Sequence, residues 1–81
     1  MTTPRVSVDF NNADEQGRVY LTCVGTLQDL NQQGIQLVDG LVLLLYQEDL
    51  IAEATTKYDD EQRVWVAVVD WDHMRIVHYE T

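Results

Sequence analysis

The chain has 81 residues, 46% hydrophobic and 23% charged, which is the length of one small domain and the composition of a folded chain rather than a disordered one. Fourteen acidic residues against five basic ones give a net charge of −9, so the long-range field repels phosphate backbones and anionic lipid headgroups. Direct nucleic-acid binding and membrane-surface binding are therefore disfavoured, and the lone Cys23 leaves no disulfide framework, which fits a reducing, cytoplasmic setting.

Residues 5–10 alternate Val6, Val8 and Phe10 with polar neighbours, the period of a half-buried strand. Residues 11–17, with Asn11, Asn12 and Gly17, read as a hairpin loop into a second, central strand over 18–25. Leu27 and Leu30 lie three apart, a spacing open to one helical turn or a long loop, and Gly34 follows closely. An irregular loop is expected there, then an extended segment ending at the turn signal Asp39-Gly40.

Residues 41–46 are six apolar residues in a row, expected as a strand buried on both faces. Leucine favours helix, so local propensity opposes that assignment. Residues 50–58 alternate again, 59–62 form a polar turn, and 63–70 are the most β-prone segment, with Val64, Val66 and Val68 facing one way. Leu43, Leu45, Val64, Val66 and Val68 are the expected core. A short 3₁₀ step at 70–73 and a last strand over 74–79 complete the chain. No membrane-length apolar run and no signal-peptide pattern is present.

Five to six short strands with one 3₁₀-like turn and no confident helix imply an all-β fold, a small antiparallel barrel or sandwich built as a single domain over 1–81. After the strand at 18–25 come a long loop, the pattern Leu37-x-x-Gly40-x-Val42-x-Leu44, two strands joined by an acidic connection, a tight hairpin at 59–62 and the 3₁₀ step. Over residues 18–79 this order resembles an SH3-like barrel, with 5–10 as an added N-terminal strand. The Ala-Leu-Tyr-Asp-Tyr-like run and the groove tryptophan of peptide-binding SH3 domains are absent, so the resemblance implies the fold alone.

His73 and His78, five apart, project to opposite faces of one strand and form no ligand pair. Asp70, Asp72 and His73 are too few for a zinc site, and 59–61 lack the spacing of a calcium loop. Cys23 has no base or helix start beside it in the predicted strand, and the four glycines are dispersed, so neither a nucleophile nor a phosphate loop is expected. No enzyme activity, metal or cofactor is expected.

The aromatic residues carry more information. Trp71 sits in a turn between Asp70 and Asp72, where full burial would pull carboxylates out of water. Trp71, Asp70 and Asp72, with Asp59, Asp60 and Glu61 as candidate neighbours, are the expected partner-binding residues. The function expected is an acidic, non-enzymatic interaction module or accessory subunit that docks on a basic protein surface. The alternative is a nucleic-acid mimic that inhibits a DNA- or RNA-binding protein, which requires carboxylates in regular rows. A homo-oligomer is also allowed, because both faces of 41–46 are apolar.

Overall fold

Alternation of apolar and polar residues becomes strand along most of the chain in the computed structural model, which describes residues 3–76. In order the elements are β1 (Arg5–Ser7), β2 (Arg18–Tyr20), α1 (Val24–Gln32), β3 (Val42–Gln47), β4 (Leu50–Asp59), β5 (Val64–Val69), a 3₁₀ turn (Trp71–His73) and β6 (Arg75–Ile76). They form one sheet in the order β1-β3-β4-β5-β2, with β6 also beside β4. The protein is thus mostly β, but the sheet is not closed into a barrel.

The β3–β4–β5 meander is antiparallel, with Leu43 opposite Ala54, Leu45 opposite Ala52 and Ala67 opposite Thr56. Those residues share the inner face, where Val6, Val19, Leu21, Leu30 and Val69 join them in the core. Alanines at 52 and 54 leave room for the large Leu43 and Leu45 across the strand pair, both fully buried. The buried Thr56 hydroxyl donates to the Val38 carbonyl, so its burial leaves no orphan polar atom.

Several expectations are corrected. Residues 11–17 do not join a hairpin of the first two strands, because β1 runs parallel to β3 at one edge while β2 pairs β5 at the other. The connecting chain crosses between the edges: the Val8 amide donates to the Tyr46 carbonyl, and the Tyr20 amide donates to the Asn12 carbonyl. The second strand ends at Tyr20 rather than Gly25. The last strand covers Arg75–Ile76, and its expected continuation over 77–79 lies outside the described residues.

The expected loop is the nine-residue helix α1, so the fold is not purely β. Its inward stripe is Thr26, Asp29, Leu30 and the C-cap Gln33, at i, i+3, i+4 and i+7, while Leu27 points out at 51% exposure. Three of the four are polar because they bond to backbone. The Ser7 amide donates to Asp29 Oδ2 at 2.8 Å, the Thr26 hydroxyl donates to the Ser7 carbonyl, and Gln33 Nε2 donates to the Arg5 carbonyl at 2.7 Å. Gly34, at φ +65°, then ends the helix in the left-handed region.

The expected core face of β5 also needs correction. Trp65, Ala67 and Val69 face the core, Val64 is half-buried and Val68 is 47% exposed. Val66 nevertheless has no exposure on the outer face. Arg18 stands opposite Val68, Asp59 stands opposite Val64, and the Arg18 guanidinium reaches Asp59 at 2.8 Å across the intervening Val66 row. Val66 itself stands between Tyr20 and Lys57 in the sheet, so long side chains flank it on both neighbouring strands.

Candidate functional site

The turn after β5 begins at Asp70, whose amide donates to the Glu53 carbonyl and so anchors the turn to β4. The Asp70 carboxylate lies 2.8 Å from His73 Nδ1. That hydrogen bond, with the nearby charges of Asp70 and Asp72, raises the His73 pKa above its ordinary value.

Trp71 is 42% exposed and yet held on two sides. Its indole N–H donates to the Gly17 carbonyl at 2.8 Å, and its ring meets Phe10 edge-on with centroids 5.8 Å apart. Gly17 has φ +79°, and a Cβ there would stand 3.0 Å from Trp71 Nε1. Glycine is needed at this position both for the backbone angle and for the close approach of the indole. Asp72 is exposed beside the ring.

The second predicted acidic group lies elsewhere. Asp59 ends β4 opposite Val64, whereas Asp70 follows Val69, so the two groups sit at opposite ends of β5, about 20 Å apart along a strand. The structure does not bring Asp59, Asp60 and Glu61 beside Trp71. Asp59 is also engaged in the fold: Oδ1 accepts the Glu61 and Gln62 amides, and Oδ2 accepts Gln62 Nε2 and Arg18. The Gln62 amide and side chain, followed by Arg18 and the Glu61 amide, hold its pKa down to about 2 against the opposing effect of burial. Asp60 and Glu61 remain exposed at the hairpin tip.

Arg18 also pairs with Asp14 at 2.7 Å. Burial raises the Asp14 carboxyl, but hydrogen bonds from the Arg18 amide and guanidinium and from the Gln16 amide outweigh it and hold the group low. Gly17 and Arg18, adjacent at the start of β2, thus hold side chains at the two ends of β5, Gly17 holding Trp71 and Arg18 holding Asp59.

A cavity of about 700 Å³, which no local residue pattern marks, lies where β1, α1 and the β3–β4 turn meet. Ile35, Leu50 and Ile51 supply apolar lining, and Asp29, Glu48 and Asp49 supply carboxylates. Its walls depend on α1 and on the parallel β1–β3 pairing, neither of which leaves a hydrophobic pattern. Among the described residues, no group of three or more His, Cys, Asp or Glu side chains is placed to hold a metal ion. No described helix is long and apolar enough to cross a membrane.

Compared with known protein families, curated proteins and solved structures, the chain matches none.

Proposed function

We propose that the protein is a small acidic, non-enzymatic docking module that binds a basic surface of a partner protein through the Asp70, Trp71 and Asp72 turn. The observation that carries this reading is the state of Trp71, which is pinned by Gly17 and Phe10 while keeping 42% of its surface exposed. A pre-positioned aromatic contributes contact area at low entropic cost, and carboxylates on either side favour a cationic partner and speed encounter. Asp60 and Glu61, at the far end of β5, extend the acidic field without sharing the contact.

The competing mimic reading requires rows of free carboxylates. Asp14 and Asp59 are instead paired with Arg18, which favours the docking module. The order β3, β4, β5, 3₁₀ turn and β6 supports an SH3-like arrangement of the second half, and the single cysteine supports action in the cytoplasm.

Titration with an oligolysine peptide, read by tryptophan fluorescence and calorimetry, tests the proposal. Saturable binding that weakens with salt and weakens further in Trp71→Ala is expected. Unchanged affinity in a folded Trp71→Ala protein, or no binding at low salt, overturns it.

A further inference from the structure

We infer that the cavity between β1, α1 and the β3–β4 turn is a binding site for a small aliphatic diamine. This site is separate from the Trp71 turn and does not rest on the docking proposal. At about 700 Å³ the cavity has the size of a small-ligand site. Ile35, Leu50, Ile51 and Pro4 give it hydrocarbon surface, with Ile51 only 5% exposed.

Charge decides the ligand class. Among the described lining residues Asp29, Glu48 and Asp49 contribute three negative charges and Arg5 one positive charge, leaving −2. None of the three carboxylates forms an ion pair among the described residues, where Arg18 and His73 account for all such pairs. Asp29 accepts the Ser7 amide and the Tyr46 hydroxyl through Oδ2. Among the described residues no fully buried side-chain oxygen lacks a partner, so Oδ1, which takes neither bond, keeps some exposed surface. A ligand with two ammonium groups on a hydrocarbon stem matches both the charge and the apolar surface.

The β1 edge argues for a small molecule over a peptide strand. A peptide entering beside β1 would bind by extending the sheet. Three of the outward backbone groups it would use, the Ser7 amide and the Ser7 and Arg5 carbonyls, are already bonded to Asp29, Thr26 and Gln33. Recognition is left to side chains and cavity shape.

The test is a titration of the full chain with diaminopentane at low salt, followed through backbone amide shifts. Saturable shifts at Asp29, Tyr46 and Ile51 are expected, with affinity lowered about fivefold or more in a Glu48→Gln, Asp49→Asn double variant. Both positions are exposed in a turn, so the fold is retained. Trp71→Ala leaves this binding unchanged, which separates the site from the docking surface. Shifts spread evenly over Asp60, Glu61 and Asp72 would show counterion association only and overturn the proposal. Equal binding of pentanol, unchanged affinity in the double variant, or binding of a lysine peptide but not diaminopentane would each overturn it as well.

Discussion

The Asp29 carboxylate, on a helix, occupies the position that a neighbouring strand would take beside the Ser7 amide, 2.8 Å away. With Thr26 and Gln33 it completes the hydrogen bonding of an edge strand that would otherwise offer free backbone groups to other chains. At the opposite edge the Asn12 carbonyl and Asp14 do the same for Tyr20 and Arg18.

Asp29→Ala removes this acceptor and leaves the Ser7 amide part-buried without a partner. A loss of about 1–3 kcal/mol in urea denaturation is expected, with a smaller loss for Asp29→Asn, which keeps a carbonyl acceptor. Light scattering should also rise for Asp29→Ala, because β1 becomes an open edge.

Val66 and Val68 differ by two positions and face the same way, but only Val66 is shielded. Val66→Asp buries a charge with no partner and is expected to cost about 4 kcal/mol or more, enough to unfold a domain this small. Val68→Asp is expected to remain folded, with near-native circular dichroism.

Gly17→Ala places a methyl group against the indole at a backbone angle that alanine disfavours. A loss of about 1–2 kcal/mol is expected, accompanied by a red-shifted Trp71 emission as the ring leaves its hydrogen bond. Trp71→Phe keeps an aromatic ring beside Phe10 and loses the N–H donor, so it should cost less than Gly17→Ala.

Asp59 sets the acid limb of stability. Its folded pKa, about 2, lies below the ordinary 3.8, so its contribution is complete above the unfolded value and disappears as pH falls from near 4 through about 2. The denaturation midpoint should drop across that window. Arg18→Gln should shallow the drop without abolishing it, because the Gln62 amide is the largest cause of the shift.

His73 titrates in the opposite sense. Its raised pKa gives a contribution present below the ordinary 6.5 and lost as pH rises through the folded value. In a proton NMR titration its imidazole midpoint should lie above 6.5 and return toward that value in Asp70→Asn.

The strands β3, β4 and β5, the hairpin at 59–62 and the 3₁₀ turn were legible in the sequence, because their apolar residues alternate or are interrupted by turn-forming polar residues. Helix α1 was not. Its inward face sets only Leu30 into the core beside the polar Thr26, Asp29 and Gln33, while Leu27 points outward, so the apolar stripe of an amphipathic helix is missing, because most of its inward side chains bond to backbone groups. Valines on both faces of β5 offer no polarity to read, and Val66 differs from Val68 in its neighbours, standing between Tyr20 and Lys57 with the Arg18–Asp59 pair reaching past it. The acidic turn around Trp71 was legible as a turn. That Asp59 is consumed by the fold, and that a cavity opens beside α1, depend on contacts between distant segments which local spacing does not encode.

Strand β4 is shared more widely than any other. Its first half pairs β3 on one side and β6 on the other, and its second half pairs β5. No neighbour can detach fully from the sheet's centre without β4 losing a partner, and β4 cannot be released unless several strands leave together. Amide protons at Ala52, Ala54 and Thr56 should therefore exchange with solvent only through whole-molecule opening, at a rate set by global stability. The described part of β6, tied to β4 at Leu50 and Ile51, should exchange orders of magnitude faster while the rest of the sheet stays closed.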